Sequence, residues 1–484
     1  MEASLFWYDI ETFGRHPGLD RVAQFAGVRT DDTFEPVEEP IIEYVRIPPD
    51  YVPSLEACLL TGITPEMTLE KGICEYELAA KIYTEWTRPG SCVVGYNNIS
   101  FDDEFMRNVF YRNLFDPYIR EYSRGNSRWD LINVARAAKD LRPEGINWPV
   151  NEDGMPSFKL EDLARANGID QSNAHEAHAD VMTTIALAKL LHEKQPKLFT
   201  FLFRHRLKNR ISRLINIQHR EPVLHTSHFF SREEGCTTAV APLAVDPGNR
   251  NAVIVFDLRF DPDPLFDLSV EEIRRRVFTS RDELEEARIP LNTVHINKSP
   301  VLAPLSVLDD ASAARLGIDP PAVERRWNRI RRQTNLTEKI RSVYEGGGAG
   351  AHPEAEDVEL AIYSGGFFLD EDKRLFDTLH ESGFSTWREV GGEFTDPRAV
   401  KLLHRLIGRN FPELFSKHEQ EKWKNFCASR LLFPPGGHID DFGTFEKKIE
   451  TRSRSTELSA REKLIIRSLM DYRDRLKQTV LAYE

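Results

Sequence analysis

Three short stretches carry side chains that could do chemistry. The first is Phe6-Trp7-Tyr8-Asp9-Ile10-Glu11-Thr12-Phe13. Its aromatic and β-branched content predicts a strand. Alternate residues of a strand share a face, so Asp9 and Glu11 point the same way. Two neighbouring carboxylates in a buried place repel each other unless positive charge lies between them, and a divalent cation with oxygen ligands is the simplest relief. An ordinary polar face on an edge strand is the plainer alternative. The second stretch is Asn98-Ile99-Ser100-Phe101-Asp102-Asp103-Glu104-Phe105, which opens a helix. Acids suit a helix N-terminus. The same position, after a strand of an α/β sheet, is also where sites form, and it would bring one of Asp102 and Asp103 beside the first pair. The third is Ser172-Asn173-Ala174-His175-Glu176-Ala177-His178-Ala179-Asp180. An offset of five puts His175 and Asp180 on different faces of a regular helix. They can share a site if His175 lies on the loop and Asp180 in the helix, with Asn173 as a candidate cap. A lone histidine here is otherwise a surface or capping residue.

The intervening sequence supplies the elements that must position these groups. Val22 to Thr30 and Ile41 to Ile47 read as strands after turns, which predicts an antiparallel meander with the first strand. Thr64 before Pro65 is a cap with proline at the first helical position. Leu78, Ile82 and Trp86 recur at helical spacing within Tyr76 to Thr87. Ser91 to Asn97 holds a short apolar run ending at Gly95, read as a buried strand parallel to the first. Arg128-Trp129-Asp130-Leu131 reads as a helix start, Pro143 to Pro156 as a long loop, Phe158 to Asn167 as a helix ended by Gly168, and Val181 to Leu191 as a strongly helical run.

The 484 residues allow two to four domains. No apolar run is long enough for a bilayer span, and the first residues lack a secretion signal, so a cytoplasmic protein without a membrane partner is expected. Five scattered cysteines, none in C-x-x-C spacing, argue against a disulfide framework or a zinc site. A formal net charge of −13 is the wrong sign for a nucleic-acid enzyme unless basic residues are clustered. Arg204 to Arg213 and Arg325 to Arg332 are such clusters, although a charge run is also an ordinary solvated face. Between Val223 and Leu308, strand-like runs cut by turns predict a small β-domain with a helix near Val270 to Val277. Gly346 to Pro353 reads as a linker. Beyond it, Asp370 to Glu381, Asp396 to Ile407, Glu419 to Leu431 and Glu457 to Ala482 read as helices.

Taken in chain order, Y-D-I-E-T-F, N-N-x-S-F-D-x-x-F and H-x-x-x-x-D resemble the DEDDh class of 3′→5′ exonucleases, and Thr61-Gly62-Ile63-Thr64 is similar to a turn motif of that class. Within it the sequence resembles the bacterial exonuclease I family over nearly its whole length. Gly95-Tyr96-Asn97-Asn98, Arg142-Pro143-Glu144-Gly145-Ile146-Asn147-Trp148-Pro149, Val294-His295-Ile296-Asn297-Lys298 and Arg409-Asn410-Phe411-Pro412 share that likeness. The resemblance implies an α/β ribonuclease-H-like exonuclease domain (1–194), an SH3-like β-barrel domain (195–345), a linker (346–353) and a C-terminal α-helical domain (354–484). It implies hydrolysis of single-stranded DNA from the 3′ end, releasing 5′-mononucleotides in DNA repair, by a two-metal mechanism. Asp9, Glu11, Asp102 and Asp180 would hold two Mg²⁺ ions, with Mn²⁺ as a substitute. His175, rather than the nearby His178, would accept the proton of the attacking water.

The resemblance also implies DNA contacts at Glu11, Arg107, Tyr118, Tyr122 and Lys159. Tyr118 and Tyr122 would share a face if helical, or pack half-buried. Tyr122 stands where the family favours tryptophan. Lys159 stands where it favours arginine, keeping the charge without the bidentate fork. A basic patch would alternatively dock the acidic tail of single-stranded-DNA-binding protein, and a monomer is expected. Two other functions fit the same residues: an exonuclease on RNA 3′ ends, and a catalytically inactive scaffold on single-stranded DNA.

Overall fold

The side-chain alternation of the first strand, β1 (Leu5–Thr12), decides what each face of its sheet does. Phe6, Tyr8 and Ile10 point to one face and join a core with Phe25, Ile82, Trp86 and Val109. Leu5 and Trp7 point to the other and pack with Trp129, Val181 and Ile185. Asp9 and Glu11 continue that second face, towards the helix Ala177–Lys194. This is a computed structural model, and it describes residues 4–170, 176–230, 233, 235–346, 355–437 and 439–482.

β1 is the middle strand of a five-stranded sheet with β2 (Val22–Thr30), β3 (Ile41–Tyr44), β4 (Cys92–Gly95) and β5 (Ser127–Asp130), in the order β3-β2-β1-β4-β5. β1, β2 and β3 form the expected antiparallel meander, and β4 runs parallel to β1. The third strand is shorter than the sequence suggested, ending at Tyr44. The expected helix start at Arg128 is corrected: Ser127–Asp130 is a strand parallel to β4, and the helix begins at Leu131. The strand was hidden because its polar residues are buried by pairing. Arg128 meets Asp103 at 2.8 Å, and Asp130 caps the following helix through Ile132 N–H.

A second sheet is antiparallel throughout, with β6 (Val223–Thr226), β7 (Thr237–Asp246), β8 (Asn249–Asp257), β9 (Leu291–His295) and β10 (Val301–Pro304) in the order β10-β6-β7-β8-β9. The expected inserted helix is Val270–Phe278. The turn after β9 reaches back to the first sheet, where Ser299 Oγ donates to the Arg128 and Arg206 carbonyls. The segment read as a linker falls mostly on residues outside the described ones. Past it the chain is helical, including Asp370–Glu381, Pro397–Asn410, Lys417–Leu432 and Ala460–Thr479, close to expectation. Phe442–Ser453 is a helix that the sequence reading omitted. All five cysteines are buried and unbridged. Among the described residues no helix is long and apolar enough to cross a membrane.

The C-terminal helices are joined to the first sheet's domain by buried charge. Glu359 is fully buried and meets Arg21 at 3.0 Å, Arg405 at 2.9 Å, Arg409 at 2.7 Å and Arg430 at 3.5 Å. Burial alone would raise its pKa, but Arg409, Arg430, Arg21 and Arg405 hold it well below the carboxylate range. Asp50, between β3 and the first helix, pairs with Arg409 at 2.7 Å and Arg430 at 3.3 Å. Arg21 and Asp50 belong to the first domain, and Glu359 and the other arginines to the last, so ion pairs cross between the two parts. Replacing Glu359 by alanine strands several buried cations. It should lower stability by about 3–5 kcal/mol in urea unfolding; a loss below about 1 kcal/mol would show that the network does not hold the two parts together.

Candidate active site

Asp9, Glu11 and Asp180 come together: an oxygen from each can be chosen so that all three lie within 4.8 Å of one another. β1 supplies the first two. Asp180 stands in the first turn of Ala177–Lys194, whose start is fixed by Gln24. That residue pairs with Glu11 across β2, is buried, and accepts a hydrogen bond from Ala177 N–H at 3.3 Å. Nothing in the sequence singled out Gln24; its sole signal was an amide at an otherwise apolar stretch of strand.

Asp102 approaches from the other side. The pairing of β4 with β1 ends at Trp7, so the Ile10 N–H lies beyond its reach and donates to Asp102 Oδ1 at 3.3 Å. The loop before Asp102 is held by Asp130, which accepts from Asn97 N–H at 2.8 Å and Ile99 N–H at 3.4 Å. Close packing at Gly95 tightens this turn: a Cβ there would sit 2.7 Å from Asn98 Cβ and 3.0 Å from the Tyr8 carbonyl.

The adjacent acids Asp102 and Asp103 part company. Asp103 accepts from Tyr8 Oη at 2.6 Å and pairs with Arg120 at 2.9 Å and Arg128 at 2.8 Å. Against the effect of burial, Arg120, Arg128 and Arg107 hold it ionised, below the usual carboxylate range. Asp102 turns to the acid cluster instead. Burial, with added repulsion from Asp103 and Asp130, pushes it up to about 8. Glu11 is likewise pushed up to about 8, by burial first and then by Asp180 and Asp102. Asp9 is raised well above its ordinary range by burial and by Asp102, Glu11 and Asp180. Carboxylates gathered in a buried place, with Asp102 and Asp180 opposing the ionisation of Asp9 and Glu11, are all oxygen donors and fit hard divalent cations. His175 and Asn173 lie outside the described residues.

The expected DNA-contact residues sit on different elements. Tyr118 and Tyr122 do not share a helix face. They flank a single 3-10 turn, Ile119–Glu121, and Tyr122 has an extended φ of −143°. Asp116 accepts from Tyr118 and Ile119 N–H, which caps the start of this short turn. Tyr118 is half-buried, whereas Tyr122 is 69 % exposed. Arg107 lies over the Tyr118 ring at 5.4 Å, but its charge is met by Glu104 at 2.7 Å and Glu121 at 2.8 Å. Lys159 is exposed, just before the helix Leu160–Ala166.

The C-terminal part contributes aromatics that the sequence reading passed over. Phe367, 79 % exposed, stands edge-on to Tyr118 with centroids 5.9 Å apart. Tyr363 Oη donates to Glu104 and receives Arg107 Nη1 at 3.4 Å. The signal available was the pair Phe367-Phe368 directly after Gly365-Gly366. From the second sheet's domain, Lys298 is exposed on the turn after β9. Its pKa is lowered by partial burial and by Arg107 and Arg128. The basic run after the first domain borders an open depression of about 410 Å³ lined by Arg204, His205, Arg206, Leu207 and Arg210. The later run is partly neutralised, with Arg329 on Asp261 at 3.1 Å and Arg325 on Asp319 at 3.7 Å.

Comparison with known proteins matches the same three parts. Residues 6–188 match a family described as exonuclease, residues 206–346 the exonuclease I SH3-like domain, and residues 356–476 the exonuclease I C-terminal domain. Exodeoxyribonuclease I of Escherichia coli K12 is 44 % identical over 437 residues, 90 % of this chain and 90 % of that protein. The crystal structure of E. coli exonuclease I with a dA16 oligonucleotide superposes with a TM-score of 0.92 at 39 % identity, covering 98 % of this chain and 100 % of that one. The zinc-ion-bound form of the E. coli exonuclease I complex with single-stranded DNA gives 0.90 at 39 %, with the same coverage. The fold, the three matched segments and the extent of identity agree, and the chain belongs to the exodeoxyribonuclease I family.

Proposed function

We propose that this protein, an exodeoxyribonuclease by family, acts in the cytoplasm and releases 5′-mononucleotides from the 3′ end of single-stranded DNA with Mg²⁺ as its cofactor. The observation that carries this reading is the convergence of Asp9, Glu11 and Asp180, with Asp102 beside them, on the motifs shared with the DEDDh class. Asp9, Glu11 and Asp180 are the proposed ligands of one ion and Asp9 and Asp102 of a second. Divalent cations there would neutralise the scissile phosphate and ease ionisation of the attacking water. Asp102 keeps its orientation through Ile10 N–H, and Gln24 holds the helix that presents Asp180. His175 is the proposed proton acceptor, since imidazole titrates near neutral pH and can take a proton and release it again.

Aromatic faces with flanking cations are what an unpaired strand needs, because every base can stack and every phosphate is charged. Tyr118, Tyr122 and Phe367 are the proposed stacking surfaces, with Arg107, Lys159 and Lys298 towards the backbone and Glu11 beside the terminal nucleotide. The open basic depression near Arg204 and Arg210 suits the acidic tail of single-stranded-DNA-binding protein, the proposed protein partner of a monomeric enzyme.

End-labelled oligonucleotides give the direct test. With Mg²⁺, 5′-labelled single-stranded DNA should shorten to a ladder, and a 3′ label should appear at once as mononucleotide, while duplex DNA and matched RNA persist. Asp9→Asn should lower the rate by on the order of 100-fold or more, as expected when an electrostatic stabiliser of the transition state is lost. Unchanged activity in that variant would remove the cluster from the chemistry.

Phe367→Ala should weaken binding of single-stranded DNA by about 1–3 kcal/mol, the usual worth of one stacked base, with little change in kcat. An unaltered Kd by fluorescence anisotropy would take the C-terminal wall out of the DNA path.

The raised pKa values make a further prediction about stability. Glu11 rises from 4.5 to about 8, and Asp102 from 3.8 to about 8. The metal-free fold therefore binds more protons than the unfolded chain between these limits, and stability must fall as pH rises through this window. In chelator, Glu11→Gln should thus melt at a higher temperature than the native chain at pH 8, with a smaller gap at pH 6. Ca²⁺ should raise the native Tm more at pH 8 than at pH 6. Equal melting of the two chains at pH 8, with no cation effect, would mean that the acids do not crowd one another.

A further inference from the structure

A cavity of about 160 Å³ lies where the C-terminal helices meet the first sheet's domain, walled by Val45 to Pro49 and Glu75 on one side and by Arg409, Tyr472 and Arg475 on the other. Arg21 lines it as well. That guanidinium is buried, with 2 % of the residue exposed, and its Nη2 donates to Glu359 at 3.0 Å. Its Nε and Nη1 are buried without a hydrogen-bond partner. Buried polar groups are nearly always paired, and a charged donor left unpaired is costly. Arg409 also lines the cavity and commits its Nε and Nη2 to Asp50 and Glu359.

The local charge points the same way. Arg21, Arg112, Arg405, Arg409 and Arg430 are ion-paired to Asp50, Glu75, Asp357 and Glu359, so the network has one more cation than anions. Asp20 gives Arg21 no hydrogen-bond partner, because its oxygens accept from Tyr51 Oη and His16 N–H. At the rim, Arg475 pairs with Glu66 at 2.8 Å, and Arg46 donates to the Gly72 carbonyl at 3.2 Å.

We infer that this cavity binds a small inorganic oxyanion of the size and charge of phosphate, taking hydrogen bonds from Arg21 and Arg409. It thereby bridges the first domain to the C-terminal helices. The space is several times the roughly 30 Å³ that one water occupies. It falls below the ~300 Å³ at which pockets for small organic molecules begin, so a nucleoside is excluded. The site is separate from the exonuclease reading and stands whether or not the acid cluster is catalytic.

The test is thermal unfolding of the full chain in chelator, with inorganic phosphate replacing sodium chloride at constant ionic strength. A saturable rise in Tm of a few degrees is expected, as for any ligand that binds only the folded state. Arg21→Met would also strip a partner from Glu359, so the rim variant Arg46→Gln/Arg475→Gln carries the comparison. It should move the phosphate midpoint at least about 5-fold to higher concentration, since two rim cations that favour an anion are removed. Arg325→Gln, a surface arginine elsewhere, should not. 5′-dAMP, which as the proposed reaction product can bind at the acid cluster, should keep any rise it gives in the rim variant, which separates free phosphate from phosphate carried on a nucleotide. Crystals soaked in selenate should show an anomalous peak within hydrogen-bond distance of the Arg21 guanidinium. A phosphate response that only follows ionic strength or is equal in the rim variant, a 5′-dAMP response that the rim variant loses, or a selenate soak without that peak would overturn the inference.

Discussion

Mutual repulsion among buried carboxylates is the constraint on which this structure turns. Burial is the larger cost of ionising Asp9 and Glu11, and the charges of Asp102 and Asp180 add to it at both. A fold would normally relieve such crowding by turning a side chain away. Here each is prevented from doing so: strand alternation fixes Asp9 and Glu11, Ile10 N–H fixes Asp102, and Gln24 fixes the helix that carries Asp180. The strain is thus retained by the sheet and its first helical turn, the arrangement expected where an ion is to be bound tightly and in one geometry.

Asp103 shows the contrasting use of an identical side chain one residue away. Surrounded by Tyr8, Arg120 and Arg128, it is a satisfied buried anion that ties the helix Asp102–Arg112 to β1 and β5. The same logic recurs at larger scale around Glu359, where arginines from both ends of the chain meet. Such networks are poor sources of net stability but severe penalties for mispairing, which suits a contact that must set one domain orientation. That orientation carries Tyr363 and Phe367 to Arg107 and Tyr118, completing a wall that the first domain does not build alone.

Much of this was legible in the sequence because it depends on local rules. The two-residue period placed Asp9 beside Glu11, and the apolar run ending at Gly95 gave a strand parallel to β1. The motif order gave Asp102 and Asp180 through resemblance to the exonuclease family. What escaped depends on distant partners. β5 was misread because Arg128 and Asp130 look like surface residues until Asp103 and the loop at Asn97 are brought to them. The pair Tyr118 and Tyr122 looked helical by spacing, yet the helical segment between them is one 3-10 turn, Ile119–Glu121. Gln24 and Phe367 carried only slight local signals, an amide in an apolar strand and a Phe pair after two glycines, since their roles come from residues more than 150 positions away.

The most direct measurement is calorimetric titration of Mn²⁺ into the metal-free protein near pH 7, repeated in buffers of different ionisation enthalpy. Cation binding to carboxyls that titrate near pH 8 must expel protons. The native chain should therefore bind Mn²⁺ with proton release, and Asp180→Asn should lose both the affinity and the release. Binding without proton release, or binding that survives the loss of Asp180 unchanged, would contradict a shared site.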